Sequence, residues 1–368
     1  MKKLLLLAAV AMAFGASAQT LTLDWKHETA NAAPVGDARQ GVGMNGKIYI
    51  HIKGKQGSGK VISFDQAGLT NDNLPGGDNC GLTCDQAGNL VVSNAPFPNA
   101  WRMDTVGIKV YNPATPDVIS LYNVPESLTT GRCDFLGKAE GDLTGDGILY
   151  WVGNKSTGMD KFVTVGGEVS ADDCYAAQLD AGFAANTTTV INPFMENDVM
   201  KYLYYVRNTP ARIIVPDGDN YVTEKVLTLP SQGASNGAEI FILGGEKYIL
   251  YPAKTDKAMG TNYLDAFAIA KVGAEAYTVL KEEELTVAPN SYQSNWLNAE
   301  VVDEYTANIY QYMPGSYCAK YTFSLPHEGT GISDVTAKKA EVKKVIENGQ
   351  IYIINGDAKY NVMGAQVK

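Results

Sequence analysis

The stretch GDLTGDGILYWVGN, residues Gly141–Asn154, sets a polar, glycine-rich hairpin turn in front of a short run of β-branched and aromatic residues, which a polar loop then stops. Glycine and aspartate supply the tight turn, and the run Ile148–Val152 has the composition of a strand. Related versions occur at Gly81–Asn94 (GLTCDQAGNLVVSN), Gly237–Tyr251 (GAEIFILGGEKYILY), Gly41–Ile52 (GVGMNGKIYIHI) and Asn298–Met313 (NAEVVDEYTANIYQYM). Recurrence of one unit at long intervals signals a repeat architecture.

Anchoring one strand per unit makes the period visible. The anchors are Ile48–Ile52, Leu90–Ser93, Ile148–Val152, Tyr202–Val206, Tyr248–Tyr251 and Ile309–Tyr312, whose starts lie 42, 58, 54, 46 and 61 residues apart. Such spacings suit propeller blades with variable loops better than a tight solenoid. After each anchor comes a loop and another strand: Lys60–Asp65, Gly107–Asn112, Lys161–Val165, Ala211–Val215, Leu264–Val272 and Tyr317–Leu325. Some units add a fourth strand, as at Asp117–Pro125 and Tyr221–Pro230, but the last unit has none of its own. The orphan strand Leu21–Lys26 (LTLDWK) fits that vacancy, and pairing it there removes exposed sheet edges. The expected fold is therefore an all-β, six-bladed propeller over residues 19–325, closed by an N-terminal strand. A seventh blade would have to come from Asp172–Asn192, and a pair of β-sandwiches is the competing architecture.

Composition limits the function classes. The formal net charge is −10, and losing Lys2 and Lys3 with a leader makes it −12. An acidic chain repels phosphate backbones, so nucleic acid is not an expected partner. Residues 1–18 read as a signal peptide: Lys2 and Lys3, an apolar run through Phe14, then Ala16-Ser17-Ala18. No later stretch is apolar for long enough to span a bilayer as a helix. The five cysteines are Cys80, Cys84, Cys133, Cys174 and Cys318. Cys80 and Cys84 are close enough to pair across a turn, but without a C-x-x-C or a histidine cluster no zinc site is expected.

Beyond a Gly/Ser/Thr-rich linker at 326–341, the segment 342–368 forms a small β tail. Asn348-Gly349 and Asn355-Gly356 mark hairpin turns, giving an expected three-stranded meander. The run KKVIENGQIYIINGDAKYNVMGAQVK resembles the C-terminal sorting segments of proteins exported by the type IX secretion system of Bacteroidota. That resemblance implies a secreted or cell-surface protein (periplasmic, displayed or extracellular) that meets the type IX export machinery through its tail. Two blade segments carry resemblances of their own. CDQAGNLVV at Cys84–Val92 is similar to NHL-type propeller repeats. GDLTGDGILYWVGN is similar to FG-GAP repeats, whose loop binds calcium, which implies Asp142 and Asp146 as ligands for Ca2+. Thr144 and Tyr150 stand where further ligands are usual, and the competing reading is a hairpin turn satisfied by its own aspartates.

Site residues are sought on the face formed by the loops leading into each innermost strand and the loops between second and third strands. Three units share an Ala-Glu pair near the innermost strand: Ala139-Glu140, Ala238-Glu239 and Ala299-Glu300. From each glutamate to its anchor the offset is 8, 9 and 9 residues, so equal depth would ring the channel mouth with Glu140, Glu239 and Glu300. Converging carboxylates require a cation, a shared proton or a basic partner, and Arg39 and Arg132 are the expected partners. The alternative is that these glutamates bond backbone N–H groups of neighbouring blades. Aromatic residues offer a second pointer. Trp101 and Arg102 in NAPFPNAWRM, and Trp296 in YQSNW, would form a platform for sugar or peptide, unless they pack between blades. The three histidines, His27, His51 and His327, do not form a triad or metal cluster, and no hydrolase elbow, phosphate loop or metalloprotease motif occurs.

The expected function is an exported, non-catalytic propeller binding a glycan, peptide or cell-envelope component through its loop face. A carbohydrate-active enzyme (glycosidase or lyase) using the channel-mouth carboxylates is the alternative, and a structural surface protein is the third.

Overall fold

The computed structural model describes residues 19–33, 38–54, 58–77, 81–93, 107–128, 135–153, 158–180, 189–206, 209–229, 237–253, 266–273, 277–284, 295–326, 342–347, 350–355, 358–361 and 366–367. Two compact units arise, one of them Gln19–Leu325 and the other including Pro326–Lys368.

The larger unit begins with β1 (Thr20–Glu28). Blade 1 follows as β2 (Ala38–Met44), β3 (Lys47–Ile52), β4 (Lys60–Asp65) and β5 (Gly68–Pro75). Blade 2 is β6 (Leu82–Cys84), β7 (Leu90–Ser93), β8 (Gly107–Tyr111) and β9 (Ile119–Asn123). Blade 3 is β10 (Glu140–Gly141), β11 (Gly147–Trp151) and β12 (Gly158–Val165), whose outer edge is shared by β13 (Glu168–Val169) and β14 (Tyr175–Gln178). Blade 4 is β15 (Val190–Glu196), β16 (Val199–Tyr205), β17 (Ala211–Asp217) and β18 (Asn220–Leu227). Blade 5 is β19 (Glu239–Leu243), β20 (Glu246–Ala253), β21 (Ala266–Val272) and β22 (Tyr277–Glu284). Blade 6 is β23 (Trp296–Val301), β24 (Thr306–Met313) and β25 (Tyr317–Ser324), and its fourth strand is β1.

The fold is thus a six-bladed β-propeller. The anchors read from the sequence are the second strands β3, β7, β11, β16, β20 and β24. Strand β1 runs antiparallel to β25 from Thr20↔Ser324 to Glu28↔Tyr317, with a bulge between Leu23 and Trp25. Among the described residues, the stretch 172–192 takes in the end of the 3-10 turn Ala171–Asp173, β14 at the edge of blade 3 and the start of β15 in blade 4, and none of these begins a seventh blade.

Blades stack face to face, so both faces of each inner sheet are apolar. Val42, Tyr49, Leu82 and Tyr111 pack between blades 1 and 2, and Phe241, Tyr248, Phe267, Tyr321 and Phe323 between blades 5 and 6. Tyr111, Tyr150, Tyr205, Tyr251, Tyr310, Tyr312 and Tyr317 are all less than 2% exposed, which makes tyrosine the main filler of the inter-blade space. Gly41 and Gly43 of β2 let Tyr312 and Tyr310 lie directly on the backbone, since a Cβ at Gly43 would sit 2.0 Å from the Tyr310 ring.

The two ends of the propeller differ. First-to-second and third-to-fourth connections share one face; several of them are two-residue turns, with Asn45-Gly46, Gly166-Gly167, Asn197-Asp198 and Gly244-Gly245 all at positive φ, the conformation of tight hairpin turns, and 85–89, 112–118, 142–146 and 302–305 are somewhat longer. Second-to-third and blade-to-blade connections leave and re-enter the strands at the other face, and the longest in sequence are the 13 residues between Ser93 and Gly107, the 16 between Asn123 and Glu140 and the 12 between Ala253 and Ala266.

The smaller unit is a four-stranded antiparallel sheet of β26 (Val342–Glu347), β27 (Gln350–Asn355), β28 (Ala358–Asn361) and β29 (Gln366–Val367). The expected three-stranded meander gains its fourth strand where Lys359 and Tyr360 pair with Val367 and Gln366. Among the described residues no helix is long and apolar enough to cross a membrane.

Candidate functional site

Innermost strands carry alternate side chains toward the propeller axis, and those side chains fill it. Lys138, just ahead of β10, reaches Glu239 of β19 as an ion pair and donates to the Ala299 carbonyl at 2.9 Å. Glu239 also accepts the Ala299 N–H at 2.9 Å. Asn192 of β15 accepts the Lys138 N–H and donates to the Ala238 carbonyl, each at 2.7 Å. Gln40 of β2 donates to the Leu136 carbonyl at 2.8 Å and accepts the Leu82 N–H at 2.9 Å. Asn298 of β23 closes the circuit by accepting the Gly43 N–H at 3.0 Å. The space left among these groups is about 10 Å3, enough for a single water and too small for a ligand to pass.

Burial alone would lower the Lys138 pKa, but the adjoining Glu239 carboxylate outweighs it and holds the ammonium above its ordinary value. The neighbouring Cys84 thiol is pushed up to about 12 by burial.

The three glutamates do not form one ring. Register shows why: Glu140 pairs with Ile148 and Glu300 with Asn308, one rung from the end of each hairpin, whereas Glu239 pairs with Leu250, four rungs from the Leu243↔Glu246 end. Blade 5 turns on two glycines, while blades 3 and 6 spend longer turns at 142–146 and 302–305. Equal offsets in sequence therefore become unequal depths. Glu239 meets Lys138 across the axis, and the other two glutamates lie toward the tight-turn face.

Each of those two is held by donors. Glu300 accepts the Asn45 N–H at 2.8 Å, the Tyr310 hydroxyl at 2.6 Å and the Asn308 amide at 3.0 Å. Burial works to raise its pKa, yet these bonds prevail and keep the carboxyl below its ordinary value. Glu140 accepts the Tyr202 hydroxyl of blade 4 at 2.7 Å. That hydroxyl also receives Tyr150, which meets Tyr221 at 2.7 Å, so a file of tyrosines joins blades 3 and 4.

Asp142 and Asp146 act as turn acceptors. Asp142 takes the Thr144 N–H at 2.8 Å, the Thr144 hydroxyl at 2.6 Å and the Asn89 amide at 3.2 Å, while Asp146 takes the Gly166 N–H at 2.7 Å. The two segments singled out as NHL-like and FG-GAP-like touch each other. Asp85 accepts two bonds from Asn89 and one from the Leu143 N–H, and Gln86 and Gly141 exchange two more. Burial dominates at Asp85 and raises its pKa. Among the described residues no group of three or more His, Cys, Asp or Glu could hold a metal ion.

Trp296 is not on a platform. It is 4% exposed, lines the top of the axis, and meets the Phe135 ring edge-on with centroids 4.7 Å apart. The expected aromatic surface at 292–296 therefore loses its tryptophan to the core. Trp101, Arg102, Arg132 and the side chain of Arg39 lie outside the described residues. Cys84 is a buried free thiol, and Cys80, which the sequence sets close enough to pair with it, lies outside the described residues. Sequence reasoning missed Lys138 and Asn298, although each sits two positions before a singled-out glutamate and so on the same strand face.

No protein-family model matches the sequence, and no curated protein matches it significantly. In fold the chain is similar to a crystal structure of a DUF4623 family protein from Bacteroides eggerthii. That match has a TM-score of 0.54 at 10% identity and covers 84% of this chain and 78% of the other. A sialidase from Trypanosoma rangeli aligns with a TM-score of 0.44 at 10% identity, covering 78% of this chain and 55% of that one. A lectin from Aleuria aurantia aligns with a TM-score of 0.41 at 10% identity, covering 74% and 82%. At such identities the likeness is one of fold.

Proposed function

We propose that the chain is an exported, non-catalytic β-propeller that binds a glycan, a peptide or a cell-envelope component through the face bearing its long connections. The lengths of the connections carry this reading: 94–106, 124–139 and 254–265, which join strands at one end of the blades, run to 13, 16 and 12 residues, whereas connections at the other end do not exceed the seven of 112–118. Connections longer than a turn requires are where binding residues concentrate on a rigid scaffold. Trp101, Arg102 and Arg132 belong to those segments.

The axis contributes rigidity and no catalysis. An acid–base pair needs two carboxyl groups facing each other across an open cleft. Here Glu239 is bound to Lys138 and Ala299, and Glu300 to Asn45, Tyr310 and Asn308. This weighs against the glycosidase or lyase alternative.

The leader at 1–18 and the type IX-like tail at 342–368 support delivery to the periplasm, surface or medium, with the tail as the signal read by the export machinery. The FG-GAP-like and NHL-like turns serve as an inter-blade latch, and calcium is not required for ligand capture.

A glycan and peptide array probed with mature protein, with and without calcium, tests the reading. Calcium-independent binding that Trp101→Ala abolishes at unchanged Tm supports it. Absence of binding to every probe would favour a structural surface protein, and turnover of a bound glycan would restore the enzyme. Deleting 342–368 should retain the propeller in the cell, and unchanged delivery would remove the sorting role.

A further inference from the structure

Where the ring closes, a cleft of about 650 Å3 opens on the tight-turn face between blade 6 and blade 1. Small-molecule pockets span roughly 300–1,000 Å3. Three segments that are remote in sequence build it: Asp24 and Trp25 of β1 beside Lys320 of β25, the turn Asn45–Lys47, and the turn Asp65–Ala67.

Its polar groups have spare capacity. The Lys47 ammonium and the side-chain amides of Asn45 and Gln66 have no hydrogen-bond or ion-pair partner among the described residues. Asp65 uses one carboxylate oxygen on the Ala67 N–H at 2.8 Å. Asp24 uses one on Lys320 at 2.5 Å and Thr322 at 2.8 Å. Each keeps its second oxygen as an acceptor. Two carboxylates balance two ammonium groups, so a charged ligand of either sign would meet like charge. Backbone donors are already spent: the N–H groups of Asn45, Gly46 and Ala67 go to Glu300, Tyr310 and Asp65. A peptide pairing strand-like through its main chain would find none of these. Recognition here falls to side-chain donors and acceptors interspersed within one cleft. Hydroxyl groups, which donate and accept at once, match such a set. Trp25 provides an apolar wall; its ring lies 5.4 Å from that of His27, which in turn lies 6.3 Å from the Phe64 ring.

We propose that this closure-seam cleft is a second ligand site, on the face opposite the long connections, and that it takes a short neutral saccharide. It is independent of the loop-face site, because none of its lining residues lies in the long connections.

The test uses the mature chain and methyl glycosides of glucose, galactose, mannose, fucose and N-acetylglucosamine, followed by saturation-transfer NMR and titration calorimetry. Lys47→Met/Gln66→Ala changes a half-buried side chain at the start of β3 and an exposed turn side chain, neither with a partner among the described residues, and should keep the Tm. Expected is binding of at least one glycoside that this double variant weakens about tenfold or more, while Trp101→Ala leaves it unchanged. The proposal fails if no glycoside of the panel binds, if binding survives the double variant, or if Trp101→Ala alone removes it. Glycoside binding that fails here while array binding persists would leave the loop-face reading standing.

Discussion

Lys138 of blade 3 and Glu239 of blade 5 meet across the propeller axis, bypassing blade 4, with side-chain exposures of 19% and 6%. Together with the peptide of Ala299 they tie blades 3, 5 and 6 at one point, while Asn192 holds blade 4 between its two neighbours. A propeller has no continuous core along its axis, so polar side chains bridging non-adjacent blades supply closure that apolar stacking alone does not.

Removing one partner of this pair strands the other charge in a nearly closed space. Lys138→Met should cost about 3 kcal/mol or more in unfolding free energy. The double variant Lys138→Met/Glu239→Gln should recover part of that loss. Denaturant titration measures both, and a single-variant cost below about 1 kcal/mol would show that the pair does not secure the ring.

Glu300 has a defined pH signature. Its carboxyl is held below the ordinary value, so the folded state releases its proton more readily than the unfolded chain. Stability from this group is present above the unfolded glutamate pKa and disappears as pH falls through the lower folded value. Glu300→Gln should therefore cost about 2 kcal/mol near neutrality. Its deficit should shrink below roughly pH 4. A deficit that stays constant from pH 7 to acid would contradict this assignment.

Trp296 should behave as core. Trp296→Ala removes a ring packed edge-on against Phe135 and should lower stability by about 3–5 kcal/mol. Thermal unfolding that leaves the Tm unchanged would place the indole on the surface instead.

Strand β1 is the closure. Without Thr20–Glu28, β25 would lose its partner along Tyr317–Ser324 and become an open edge, which invites pairing with other chains. A chain starting at Thr29 should lose cooperative unfolding and associate in size-exclusion chromatography. A monomer with wild-type Tm would refute closure by this strand.

The amino-acid sequence determined the blades. Alternation and turn chemistry are local properties: Asn45-Gly46 and Gly244-Gly245 must turn, and Ile48–Ile52 and Tyr248–Tyr251 must be strands, wherever they sit. The orphan strand Leu21–Lys26 and the incomplete last unit were legible for the same reason, because an edge left unpaired is visible in a count of strands.

Depth along the axis was decided by tertiary structure alone. Ala-Glu pairs at nearly equal distances from their anchors end on different rungs, since the hairpins of blades 3, 5 and 6 turn with different numbers of residues. Hence Glu239 faces Lys138, and Glu140 and Glu300 do not join it. Trp296 looked like a platform because burial is not written in composition, and residues remote in sequence, Phe135 among them, pack around it. The closure-seam cleft has no contiguous signal at all. Asp24, Lys47, Gln66 and Lys320 become neighbours only when the first strand docks on the last blade.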